Sequence, residues 1–79
     1  MEIPNQISAI AAIVRQDWKN IYFGAEPYLK AMEELENLEQ KYGQDSATSI
    51  VRYFLGNATS WRGEVAKAVK AKLNQMLQK

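Results

Sequence analysis

Apolar residues recur every three or four positions along the chain, and this spacing constrains its fold more than any other feature. The first stripe consists of Ile7, Ile10, Val14, Trp18 and Ile21. Such spacing puts side chains on one face of an α-helix, whereas a half-buried strand would need strict alternation. The sequence has no alternating run of β-branched residues and no Asn-Gly hairpin signal. It therefore predicts an all-α protein.

Signals for helix ends predict where the first two helices lie. We expect the first helix to begin near Pro4 or Asn5 and to end near Asn20. The second should begin with Pro27, because proline suits the first helical position. Its apolar stripe continues to residue 42, where Gly43 is a natural C-terminal stop.

The remaining chain predicts two further helices. Asp45 or Ser46 can cap the third helix, which ends at the segment Gly56–Ser60. The fourth should begin near Ser60 and run nearly to the end of the chain. Four helices with short connections predict one domain over residues 1–79, a small antiparallel bundle of about four helices. Because Gly56–Ser60 is short, helices three and four could instead join as one kinked helix.

Composition argues against most kinds of enzyme and against a membrane span. The 79 residues include no histidine and no cysteine, so the usual general bases, thiolate nucleophiles and zinc ligands are missing. The acidic residues Glu33, Glu36 and Glu39 lack the histidine spacing of a metal site in a bundle and predict a solvated face. The longest apolar run, Ala9–Val14, is too short to cross a bilayer. Because Glu2 and no basic residue precedes it, we expect no signal peptide and a cytoplasmic location. We expect no cofactor and no metal.

Aromatic residues should gather at one end of such a bundle. In an up-and-down arrangement the ends of helices one and three meet the starts of helices two and four. Seven of the eight aromatic residues lie near those four chain ends: Trp18, Tyr22, Phe23, Tyr28, Tyr53, Phe54 and Trp61. They could close the core, form a docking patch, or do both.

Two charged residues belong to the same end and lie on apolar stripes. Asp17 falls within the stripe of the first helix, and Arg62 falls near the centre of the stripe of the fourth. A charge on an apolar face must be paired or lie at the rim. We therefore expect an Asp17–Arg62 ion pair, the alternative being that both side chains reach water.

The leading functional hypothesis is a non-enzymatic helical interaction module. It would bind a protein partner, a second copy of itself included, through the aromatic end. Arginine, tyrosine and tryptophan often dominate the energy of protein interfaces. The expected contact residues are Tyr22, Phe23, Tyr28, Trp61 and Arg62.

The basic C-terminal helix supplies the alternatives. The net charge of +1 hides five basic residues and one acid over residues 61–79. The alternative function is a small nucleic-acid-associated protein that uses Lys67, Lys70 and Lys72. A further alternative is a small anion bound at the start of helices two and four near Arg62.

Overall fold

The structure, a computed structural model, describes residues 2–78 and contains four helices and a short hairpin. The helices are α1 (Ile7–Asp17), α2 (Glu26–Met32), α3 (Ala47–Gly56) and α4 (Glu64–Leu77). Strands β1 (Lys41–Tyr42) and β2 (Asp45–Ser46) pair antiparallel between α2 and α3. The prediction of an all-α fold is therefore confirmed in part: the described chain is mostly helical, but it also contains a two-stranded hairpin.

The second helix is much shorter than its apolar stripe predicts. It ends at Met32, after which the chain turns through hydrogen bonds from Glu34 to Ala31 and from Leu35 to Met32. The turn delivers backbone carbonyls to the first turn of α1. The Leu35 carbonyl accepts from the Ser8 N–H at 2.8 Å, and the next carbonyl along the chain accepts from the N–H of residue 7. These contacts satisfy donors that a helix start leaves unpaired.

The hairpin occupies the place where the sequence predicts the end of helix two. Tyr42 lies opposite Asp45, and Gly43 sits in the turn with φ +64°, a conformation that glycine adopts at little cost. The prediction of Gly43 as a helix stop is wrong, although its need for positive φ is the same. The expected cap of the third helix is confirmed, because the Ser46 hydroxyl accepts from the Ser49 N–H at 3.1 Å.

Helices α3 and α4 are separate. The Asn57 N–H ends α3 by donating to carbonyls of its last turn, and Ala58 in the following connection is buried. Gly63, with φ +115°, precedes the first residue of α4. The kinked-helix alternative is therefore wrong, and α4 begins at Glu64 rather than near Ser60.

One apolar core joins the four helices. Helix α1 packs against α2 and α4, and α3 packs against the same two helices. Within residues 2–78, no helix is both long enough and apolar enough to span a bilayer. The largest fully buried side chains are Ile7, Ile10, Val14, Leu29, Met32, Leu35, Val51, Phe54, Val69 and Leu73.

Candidate interaction surface

Two tryptophans form the floor of the aromatic end. The Trp18 and Trp61 rings stack with their centroids 5.7 Å apart and their planes 12° apart. Trp18 also meets Phe54 edge to face at 6.4 Å. The expectation that the two tryptophans share one end of the fold is confirmed. Trp61 is only 2 % exposed, so its ring belongs to the core beneath this end and not to the outer surface.

Asp17 accepts a hydrogen bond from the indole of Trp61 instead of pairing with Arg62. The Trp61 Nε1–H donates to Asp17 Oδ2 at 2.9 Å. This bond satisfies the only polar atom of the indole and accounts for an acid on the apolar stripe of α1. Arg62 is exposed and makes no ion pair among the residues that the structure describes. The predicted Asp17–Arg62 pair is therefore wrong.

The connection between α1 and α2 carries the most exposed apolar ring. Phe23 is 81 % exposed and Tyr22 is 45 % exposed, with their ring centroids 4.9 Å apart. The turn is held by hydrogen bonds from the Ala25 N–H to the Tyr22 carbonyl and from the Glu26 N–H to the Phe23 carbonyl. Two neighbouring aromatic rings are thus presented to solvent by a hydrogen-bonded turn.

Gly24 lets this turn approach its surroundings closely. A Cβ at this position would lie 2.5 Å from Cε2 of Tyr22 and 2.9 Å from Oδ1 of Asn57. Both distances are shorter than side chains tolerate, so an alanine here would push the Tyr22 ring or Asn57 away. The Asn57 side-chain amide in turn donates to the Tyr53 carbonyl at 2.8 Å. The turn is therefore seated against the end of α3.

A second aromatic pair links α2 to α3 at the same end. The Tyr28 and Tyr53 rings lie 5.4 Å apart, with Tyr28 half-buried and Tyr53 55 % exposed. Tyr53 was not among the contact residues expected from the sequence, although its position outside the main α3 stripe is a usable signal of exposure. We call Tyr22, Phe23, Tyr28 and Tyr53 the aromatic surface.

Arg15 links α1 to two glutamates, one in the first turn of α2 and one just after its end. The sequence analysis did not predict this contact. Its guanidinium donates to Glu26 at 2.6 and 3.1 Å and to Glu33 at 2.7 Å. These bonds raise the pKa of Arg15 and lower that of the Glu26 carboxyl. Glu36 accepts from the Gln6 side chain. Glu33, Glu36 and Glu39 are all exposed, as the predicted solvated face requires, and the first two also bond to α1 or to the residue that precedes it.

The lysines expected to contact nucleic acid are not all in one place. Lys67 and Lys70 line a shallow concavity of about 280 Å³ together with Trp61, Arg62, Gly63 and Ala66. Lys72 is not among the residues that line it. Lys70 donates to the Trp61 carbonyl at 2.6 Å and lies 5.9 Å from the centroid of the Trp61 ring.

Comparisons with protein-family models, with curated proteins and with solved structures find no match for this chain.

Proposed function

We propose that this protein is a non-enzymatic helical interaction module that binds a protein partner through the aromatic surface. The carrying observation is the Phe23 ring, 81 % exposed beside Tyr22 on an ordered turn. Aromatic residues are enriched in protein–protein interfaces relative to the rest of the surface, and contiguous exposed apolar patches mark such sites. In this proposal the four helices form an antiparallel bundle. Two observations support it: the Trp18–Trp61 stack, and the packing of α1 and of α3 against both α2 and α4.

Burial of the Phe23 ring and the fixed backbone of its turn would both favour binding. Moving an exposed phenylalanine ring out of water contributes about 1.5–3 kcal/mol when the ring becomes fully buried. Hydrogen bonds already fix the backbone of the turn that carries the two rings, so a partner would not have to order that backbone. The expected occupant is a protein with an apolar pocket that admits Phe23 and a polar rim that meets the tyrosine hydroxyls.

The contact set changes from the one expected by sequence. Tyr22, Phe23 and Tyr28 remain, Tyr53 joins them, and Trp61 acts from below by supporting the end of the core. Arg62, which is exposed, stays as a contact residue at the edge. The absence of histidine and cysteine removes the usual general bases and thiolate nucleophiles, which supports the non-enzymatic role. A cytoplasmic location is also part of the proposal.

Site-specific photocrosslinking in the cell of origin tests the proposal. A benzophenone amino acid replaces Phe23 in one variant and Tyr42 in a control. Tyr42 is also an exposed aromatic, but it lies on the hairpin that precedes α3, whereas Tyr53 and the Gly24 turn lie at the other end of that helix. The 10 residues of α3 are about 15 Å long, and this length separates the hairpin from the Gly24 turn.

We expect a discrete adduct from position 23 and none of that mass from position 42. An adduct of twice the chain mass would identify the partner as a second copy. Adducts with nucleic acid, or equal adducts from both positions, would contradict the proposal. If binding is lost when Lys67, Lys70 and Lys72 are replaced together, and if its affinity falls steeply with salt, the nucleic-acid alternative is favoured instead.

A further inference from the structure

The concavity at the start of α4 is lined by three cationic side chains and by no carboxylate. Its lining residues are Trp61, Arg62, Gly63, Ala66, Lys67 and Lys70. Glu64 is exposed and is not among them. Arg15, another partly buried cation, is by contrast paired with both Glu26 and Glu33. The concavity thus brings three cations together with no ion-pair partner among the residues that the structure describes.

Lys70 is fixed in place without being neutralised. Its ammonium donates to the Trp61 carbonyl and lies over the Trp61 ring, and it makes no ion pair within the part of the chain that the structure describes. An ammonium has three donors, so two remain after the bond to the carbonyl. Burial, and then the charge of Arg62, lower the pKa of Lys70. An anion between these two side chains would relieve their repulsion.

We propose that this concavity binds the phosphate group of a small phosphorylated ligand. Lys70 supplies a held point charge, Arg62 supplies a planar fork that matches phosphate oxygens, and Lys67 adds a third cation at the rim. The volume of about 280 Å³ lies just below the usual range for ligand sites, which suits a group as small as phosphate. This proposal does not depend on the aromatic surface.

Amide chemical-shift titration of the full chain tests the proposal. Inorganic phosphate is added at constant ionic strength, with chloride as the reference salt, followed by a sugar phosphate and a phosphoserine peptide. The variants are Arg62→Gln and Lys70→Gln. Lys72→Gln is the matched control, because it removes the same charge from a half-buried lysine of the same helix that does not line the concavity.

We expect saturable shifts at residues 61–70 in the wild type and in Lys72→Gln. The affinity should fall about tenfold in Arg62→Gln and in Lys70→Gln, as loss of a charge-assisted hydrogen bond implies. The tighter of the two phosphorylated probes identifies the source of the phosphate. If Lys70→Gln fails to fold, Arg62→Gln decides, since that side chain is exposed. Shifts that never saturate, or an equal loss in Lys72→Gln, would overturn the proposal.

Discussion

Single polar atoms decide how the aromatic end is assembled. The Trp61 indole would bury an unpaired N–H if Asp17 did not accept from it at 2.9 Å. An unsatisfied donor in such a place costs about 1–3 kcal/mol, more than an exposed ion pair contributes. Asp17 is therefore positioned by Trp61 and not by Arg62.

A double-mutant cycle tests this assignment of Asp17. We expect Asp17→Ala and Trp61→Phe to be coupled by about 0.5–1.5 kcal/mol in urea unfolding, the usual net value of one hydrogen bond. Asp17→Ala and Arg62→Ala should be additive within about 0.5 kcal/mol. Coupling of Asp17 to Arg62, without coupling to Trp61, would contradict the hydrogen bond and support the ion pair instead.

The Trp18 ring is expected to carry a large share of the stability. Trp18 is 6 % exposed and contacts both Trp61 and Phe54. Trp18→Ala should cost about 3–5 kcal/mol, comparable to the whole unfolding free energy of a small domain. Thermal unfolding followed by circular dichroism measures the effect, with Tyr53→Ala as an exposed aromatic control. Equal melting temperatures for the two variants would show that the stack is not part of the core.

Among the elements, α2 depends on its ion pair with α1. Arg15 bonds to Glu26 in the first turn of α2 and to Glu33 just after its end. A helix of 7 residues is too short to be stable alone. Its contacts with α1, together with buried Leu29 and Met32, therefore have to hold it in place.

Because Glu26 is paired with Arg15, the free energy of unfolding should vary with pH in the acid range. Because the folded pKa of Glu26 lies below its unfolded value, the unfolded chain binds more protons between the two values, and stability rises with pH there. The contribution is complete above the ordinary glutamate pKa of about 4.3 and is lost as the pH falls through the lower, folded pKa.

Glu26→Gln should therefore be less stable than the wild type near neutral pH, by about 0.5–1 kcal/mol because the pair is partly exposed. The difference should shrink as the pH falls below about 4. Urea unfolding at several pH values measures it. Glu39→Gln is the control, since Glu39 makes no ion pair in residues 2–78. A constant difference at every pH would contradict this role of Glu26.

Particular elements show what sequence can and cannot predict here. The stripe of α1 and the Ser46 cap follow from local spacing and local hydrogen bonding, and both were predictable. The end of α2 was not, because Leu35 is buried at helical spacing although it lies in a turn that caps α1. Strands of two residues are too short to show alternation. The sequence thus predicts which face of a helix is buried, but not which elements pack against that face.

In the whole molecule, different kinds of surface lie at its two ends. The Trp18–Trp61 stack is buried, Phe23 is exposed on the connection that leaves α1 at Trp18, and Trp61 is part of the lining of the cationic concavity. The hairpin lies beyond the start of α3. Topology predicted that aromatic residues would gather at one end. Which ring is covered and which is exposed depends on tertiary packing, so the sequence alone placed Trp61 and Phe23 in one set.

The most direct measurement is the affinity of the purified chain for the protein that crosslinks at position 23. Isothermal titration compares the wild type with Phe23→Ser and Tyr42→Ser, or sedimentation equilibrium does so if the partner is a second copy. Both rings are exposed, so each variant should fold with a stability change within about 0.5 kcal/mol. We expect Phe23→Ser to raise Kd about tenfold or more and Tyr42→Ser to change it less than about twofold. Equal affinities for all three chains, or a loss confined to Tyr42→Ser, would contradict binding through the aromatic surface.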